Sequence, residues 1–510
     1  MFHGFKYLIL SPNLKPLSLF KKLFKQTFIY GLATVLPRML SFILVPIYTK
    51  VMPPGSYGEV TLIFSWFAIF NVFLAYGMET GFFRFFNGED DKNKVVTTSL
   101  ISLAVSTVLF TLFALLFQYQ LAELLNIEHR YIKYVIFILA LDALAIIPFA
   151  WLRANERPIR YAMVKTVNVA VNLGLNIFFL LLLPGLADAN PESLLNAIYI
   201  TDFEISYIFI SNLIASALTL IMMGGLYLKR TYSFDKALWL KMIKYGIPVM
   251  IAGIAFTINE VFDRILLADL LPQDIAKSEM GKYSACYKLA LFMTLFATAF
   301  RLGIEPFFFS HSSSKYPQRA YAQITNYFVV LGSVILLAVV VFADVLKVIF
   351  IRDEAYWEAM PIVPVIVLAS FCLGIYHNLS VWYKVTDRTR FGAYISIVGA
   401  LITIGINYFF IPEWGYYASA YATLAAYGSM MLISYFFGRK YYPIPYNFRK
   451  ITFYLGLSIL LATLSFYVFN RNLIIGSALL LVFLIILYKM ESETLKRIFL
   501  AGVKGQNNSA

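Results

Sequence analysis

Charge is scarce in this chain. Asp, Glu, Lys and Arg make up 14% of its 510 residues, whereas soluble domains carry about 25%. So few charges cannot cover the surface of soluble globules, which excludes that class. Cysteine is nearly missing, with Cys286 and Cys372 alone, so a secreted disulfide scaffold is excluded. With four scattered histidines, the two thiols form no metal or haem spacing. Both fall in apolar runs and read as packing residues. Long polar stretches are missing as well. The widest gap between apolar runs, Pro184 to Ser206, is about 23 residues and cannot hold a soluble catalytic domain. Walker A, G-x-G-x-x-G, G-x-S-x-G and H-E-x-x-H are all absent, so the chain reads as neither an enzyme nor a cofactor binder.

What is abundant is apolar and aromatic surface, at 60% and 17% of residues, with a mean hydropathy of +0.74. Disordered chains have the opposite composition. The remaining class is an all-α polytopic membrane protein. Runs of about 20 apolar residues predict fourteen spanning helices. Seven lie near 27–49, 60–83, 95–118, 131–151, 161–183, 207–228 and 245–268, and seven near 283–308, 325–346, 361–383, 391–410, 415–438, 451–469 and 472–488.

The net charge of +14 invites a nucleic-acid reading, but its distribution follows topology. The N-terminus, alternate connections and C-tail hold about 30 of the 42 Lys and Arg residues, and the opposite connections about 8. The connection 184–206 carries Asp188, Glu192, Asp202 and Glu204 and no base. By the positive-inside rule both termini are cytoplasmic, and no nucleic-acid partner is implied. Residues 1–26 read as a basic cytoplasmic arm. Lobes are expected at 27–228 and 245–438, joined by a basic linker 229–244, with two extra helices in 451–488 and a polar tail 489–510.

The halves resemble each other weakly. Tyr30-Gly31 matches Tyr245-Gly246, Gly58 matches Gly281, and the run from Gly81 to Phe86 matches that from Gly303 to Phe308. The offsets stay near 220 residues, which suggests duplication of a six-helix unit. An even number of helices keeps both copies in one orientation, so the lobes are related by a pseudo-two-fold along the membrane normal.

Four bases remain inside the spans, Arg38, Arg264, Lys288 and Arg301, alongside Glu79, Asp142, Glu260, Asp263 and Glu305. A charge at the bilayer centre costs about 2.5–3.5 kcal/mol on insertion scales, so each must face protein or water. Arg38, after Pro37 and close to the midplane, reads as an anion-binding guanidinium or half of a buried ion pair. Asp142 is a candidate for H⁺ or Na⁺ coupling, or for pairing with Arg38. Glu260 shares a helix face with Asp263 and Arg264, as a lock between lobes or a binding site. Lys288, placed about five residues from its helix end, either snorkels or joins the site. Glu79 and Arg301 occupy equivalent positions in the cytoplasmic halves of the repeat and are expected to pair across the axis, helping to close the cytoplasmic gate. Glu305 lies near the cytoplasmic rim.

Three segments carry a family resemblance: TKVMPPGSYGEVTLIFSW (49–66), DRILLADLL with MGKYSACYKLALF (263–271 and 280–292), and INYFFIPEWGYYASAYATL (406–424). Over roughly 22–490 the chain resembles the polysaccharide flippases, the O-antigen and capsule repeat-unit translocases of the multidrug/oligosaccharidyl-lipid/polysaccharide exporter superfamily. The resemblance implies two lobes rocking in alternating access around a cleft bordered by helices 1, 2, 7 and 8. It implies transfer of an undecaprenyl-diphosphate-linked oligosaccharide from the cytoplasmic to the periplasmic leaflet, coupled to H⁺ or Na⁺. Arg38, Arg264 and Arg301 match its cleft-lining bases. It also implies a bacterial inner-membrane location, membrane lipids as partners, and polysaccharide polymerase and glycosyltransferase neighbours. A lipid II-type flippase, a cation-coupled multidrug exporter and a membrane-embedded polysaccharide polymerase remain alternatives.

Overall fold

A computed structural model describes residues 39, 42–189, 192, 194–228, 230–310 and 317–507. Arg38 and most of the first expected helix lie outside the described residues. Among the described residues every regular element is a helix, with no strand. Thirteen helices among them are long and apolar enough to span a membrane. With the visible end of the first helix, α1 (Val45–Val51), they are numbered in chain order. The N-terminal set is α2 (Pro54–Phe86), α3 (Lys92–Leu116), α4 (His129–Ala154), α5 (Pro158–Ala189) and α6 (Glu204–Leu228). The second set is α7 (Lys236–Leu270), α8 (Gln273–Glu305), α9 (Pro317–Val341), α10 (Glu354–Val385), α11 (Arg390–Trp414) and α12 (Tyr416–Tyr441). Two more follow, α13 (Phe448–Val468) and α14 (Leu473–Ser492).

Two helices start about ten residues before their expected positions. α7 begins at Lys236 and α8 at Gln273, because their opening turns are charged and hydropathy passes over them. In α7 the Asp235 side chain caps the Leu238 N–H at 2.9 Å, and this contact holds its carboxyl below the usual carboxylate range. Lys288 therefore follows a 15-residue helical run. It sits at a short 3-10 turn inside α8, mid-span, and not near the helix end.

The chain folds into two lobes, α2–α6 with α1 and α7–α12, and α13 and α14 pack on α9. α10 is the most deeply buried span and α14 the least. Leu109, Leu112, Ile221 and Ile474 are among many large apolar side chains left uncovered by protein, as a lipid-facing surface requires.

Gly58 of α2 and Gly281 of α8, matched as repeat equivalents, touch each other's helices. A Cβ on Gly58 would fall 1.9 Å from the Lys277 carbonyl oxygen, and one on Gly281 would fall 1.9 Å from that of Pro54. Pro54 precedes Gly58 as Lys277 precedes Gly281, by one turn. The contact is thus self-complementary, as a two-fold axis between the two glycines requires. Helices that cross on glycine bring backbones together and gain dispersion and Cα–H···O contacts.

Side chains close the same end. Lys277 pairs with Glu59 at 2.5 Å, and Glu59, only 2% exposed, also accepts the Glu128 N–H. Asn126 donates to the Ala268 carbonyl, and the Tyr356 hydroxyl to that of Met52. The Arg352 N–H donates to Thr49 Oγ1. This is the closed end of the molecule.

Toward the opposite end the lobes are joined through α7. Its first turns are built into the first lobe: Trp239 Nε1 donates to Ser102 at 2.8 Å, and Met242 is fully buried beside Phe82, Val95 and Leu100. Beyond Pro248, α7 packs on α11 of the second lobe, where Asn259 donates to the Ser396 carbonyl. α2 crosses this stretch at a break, with Tyr76 and Gly77 both left-handed. A Cβ on Gly77 would fall 2.1 Å from the Gly246 carbonyl oxygen.

Gly58→Leu or Gly281→Leu should drive the closed end apart. Overpacking costs about 1–3 kcal/mol, which shifts the closed population roughly 5- to 150-fold. Double electron–electron resonance between labels on the 126 and 352 loops should show the distance lengthen in both variants. An unchanged distance in both would mean the crossing does not hold the end shut.

Candidate functional site

Apart from Arg301 and Glu305, the ionisable side chains expected at the site, together with one set of buried amides and hydroxyls, fall into three groups. The first lies in the α2–α6 lobe. The left-handed break at Tyr76–Gly77 turns the second segment of α2, Met78–Phe86, against α3, α4 and the start of α7. Glu79 in its first turn forms an ion pair with Arg153 in the last turn of α4. The Arg153 guanidinium also lies 4.8 Å from the Phe83 ring centre. Deeper in α4, Asp142 accepts a 2.8 Å hydrogen bond from Ser216 of α6 and interacts with the charge of Lys165 on α5. Lys165 also feels Arg153, and its ammonium sits 4.2 Å over Phe149. Two acids and two bases thus share one polar seam of this lobe.

The two residues of the expected cytoplasmic gate have separate partners in this state. Glu79 meets Arg153 of its own lobe, and the structure does not join it to Arg301. Arg301 instead approaches His377 of α10, Nη1 to Nε2 at 3.5 Å. Glu305, one turn on, pairs with Lys384 of α10 at 2.7 Å.

The second group lies where α7 meets α8 below the closed end. Arg264 donates to Asp263 Oδ1 at 2.9 Å and to the Glu260 carbonyl at 2.6 Å. Its guanidinium lies 4.4 Å from the Tyr287 ring centre. Tyr283 donates to the other Asp263 oxygen at 2.6 Å. Asp263 and Arg264 are 3% and 8% exposed, so this pair is a buried, neutralised element. Tyr57 of α2 is near enough to interact with Arg264, which places the pair beside the glycine crossing. Lys288 lies on the same side and feels the Arg264 charge. The third group is neutral: Asn259, Thr403, Asn407 and Ser419 are buried and hydrogen-bonded across α7, α11 and α12. No cluster of three metal-ligating side chains occurs among the described residues.

Of the expected site residues, the structure brings together Glu260, Asp263, Arg264 and Lys288 in one group, and Arg301 and Glu305 along one helix toward the opposite end. Asp142 and Glu79 fall in the other lobe. Asp142 has Ser216 and Lys165 as its described neighbours; its alternative partner Arg38 lies outside the described residues. Sequence position does not single out Arg153 and Lys165, which flank the loop 155–157 and count there as topology charges. Lys165 in fact stands about two turns inside α5. Glu59 and Lys277 likewise read as loop charges, although each lies within about a turn of a repeat glycine.

Two lobes are locked at one end, and each carries charged side chains within its spans. A family model described as polysaccharide biosynthesis protein matches residues 23–302, and the chain belongs to that family. A second model, MatE, matches residues 239–409. The fold is shared with solved structures at low identity. The lipid II flippase MurJ in an inward closed conformation is 14% identical with a TM-score of 0.70, covering 91% of this chain and 99% of that one. An inward-facing multidrug resistance MATE transporter of the MOP superfamily is 14% identical with a TM-score of 0.63, covering 79% and 93%. A mutant form of the MATE transporter VcmN of Vibrio cholerae is 14% identical with a TM-score of 0.56, covering 83% and 97%. No curated protein matches the chain by sequence.

If the Glu79–Arg153 pair positions the first lobe's charges, reversal of either residue should reduce transport roughly tenfold or more, the scale of a charge-assisted hydrogen bond at about 1.5–3 kcal/mol. The double variant Glu79→Arg/Arg153→Glu should recover much of it. Glu79→Arg/Arg301→Glu should not. A vesicle transport assay on these variants at matched protein level decides between the two partners.

Proposed function

We propose that this protein is a flippase for a lipid-linked oligosaccharide carrying a diphosphate, working by alternating access in the bacterial cytoplasmic membrane. The observation that carries the reading is the arrangement of bases. Arg153 and Lys165 in one lobe, and Lys288 and Arg301 in the other, lie on the far side of the closed end from its connecting loops. Unassisted passage of a diphosphate and its sugars would strip their hydration at a cost no bilayer crossing can meet. Guanidinium and ammonium groups in a water-filled cleft replace that hydration with charge-assisted contacts. Membership of a polysaccharide biosynthesis family supports an oligosaccharide as the cargo.

Orientation follows from the loops. The closed end carries the base-poor connections, such as 184–206, and the opposite end the base-rich ones. By the positive-inside rule the closed end is periplasmic and both termini are cytoplasmic, so this state is inward-facing and ready to receive substrate from the inner leaflet. Asp142 is the coupling residue in this reading. It is held by one hydroxyl and faces Lys165, so protonation would release Lys165 for the substrate and deprotonation would reclaim it. Arg264, committed to Asp263, serves the closure of the periplasmic end, and Arg38 remains a proposed phosphate ligand.

A second headgroup, that of lipid II, is favoured by one observation: the fold matches the lipid II flippase MurJ over nearly its whole length. The two readings share the diphosphate and differ in the glycan.

Deletion should leave undecaprenyl-linked repeat units on the inner leaflet and deplete surface polysaccharide. Intact surface polysaccharide with impaired cell-wall synthesis would instead indicate lipid II. Lys165→Ala and Arg301→Ala should each lower transport roughly 10- to 100-fold, at about 1.5–3 kcal/mol per charge-assisted contact, with folded protein retained. Lys165→Arg should keep most of it. Full transport by both alanine variants would overturn the assignment of these bases to the substrate.

A further inference from the structure

Away from both lobes' inner faces, a cavity of about 590 Å³ opens where α9 begins, α12 ends and the chain bends into α13. Two guanidinium-bearing residues line it, Arg319 from the first turn of α9 and Arg439 from the last turns of α12. Gln318 adds an amide, and Tyr435, Tyr446 and Phe448 form an aromatic wall. That wall is packed: the Tyr435 ring lies 5.0 Å from Phe448, edge-on, and 6.3 Å from Tyr446. The floor is the bend itself, where Pro443 and Pro445 fix the backbone and lack N–H groups. No carboxylate is among the described residues that line the cavity.

Two guanidinium groups line one cavity, and each offers several N–H donors to an anion held between them. The planar guanidinium fork suits phosphate oxygens, which it binds in bidentate fashion. The depth of the cavity selects the source of that phosphate. α9 starts at Pro317 and α12 ends at Tyr441, so the cavity lies at the membrane–water boundary, where tyrosines collect and lipid headgroups reside. It stands on the base-rich side of the molecule, with Lys440, Arg449 and Lys450 adjoining in sequence, and such clusters concentrate anionic lipid. The aromatic wall offers an apolar surface to the glycerol and upper acyl chain.

We propose that this cavity binds the headgroup phosphate of an anionic phospholipid, held between Arg319 and Arg439. The lipid would wedge the joint between the second lobe and the α13–α14 pair, which meets that lobe chiefly through α9. The site is separate from the transported substrate, and its test does not require that the flippase reading hold.

The test uses the full-length protein in detergent, analysed by native mass spectrometry with three probes: phosphatidylglycerol, phosphatidylcholine and inorganic phosphate. Phosphatidylglycerol should be retained over phosphatidylcholine, whose choline cation is repelled by the two arginines. Arg319→Ala/Arg439→Ala should weaken that retention roughly tenfold or more, as expected for loss of charge-assisted contacts. Arg319→Lys/Arg439→Lys should keep the charge and recover only part of it. Thermal unfolding confirms that each variant is folded, and the single variant Arg439→Gln serves if the double one is not. Equal retention of the two lipids, or wild-type retention by a folded alanine or glutamine variant, overturns the proposal. Binding of inorganic phosphate as tight as that of phosphatidylglycerol assigns the cavity to free phosphate and overturns the lipid.

Discussion

Backbone-to-backbone contact between α2 and α8 at Gly58 and Gly281 is the constraint on which the rest depends. Within a membrane, apolar side chains gain little by leaving lipid for protein, so helices associate through close packing and polar contacts. The two glycines supply the packing, and Lys277 with Glu59 supplies the polar contact. Because each glycine meets the carbonyl one turn before the other, the lobes are held in a defined register at that end. Asp263 and Arg264 sit just beneath and bring no net charge to the joint.

Charge is handled differently on the two sides of the molecule. In the second lobe, Asp263 and Arg264 are adjacent in sequence and satisfied before any ligand arrives. In the first, Arg153 and Lys165 share their electrostatics with Glu79 and Asp142 over three helices. Breaking a buried ion pair leaves an uncompensated charge and is costly, so the pre-satisfied pair suits a structural joint. A distributed set can exchange partners at lower cost, and that is the property a binding surface needs.

Composition and hydropathy suffice to read the helical class and the spans, because a bilayer enforces length and apolarity on each helix. Repeat spacing also points correctly to Gly58 and Gly281 as equivalents. Hydropathy misses the polar first turns of α7 and α8, and with them the true depth of Lys288. No linear pattern reveals Arg153 as a partner of Glu79: the left-handed kink at Tyr76–Gly77 turns the end of α2 against α4. Glu59 and Lys277 are invisible for a related reason. Each looks like an ordinary charge near a loop until the fold sets them side by side.

The divided allegiance of α7 carries a mechanical consequence. Its opening turns are cemented among α2 and α3, and its later turns are cemented to α11, with Pro248 between them. Such a helix acts as a leash between two bodies. However the lobes swing, their separation on that flank cannot exceed what one bent rod permits.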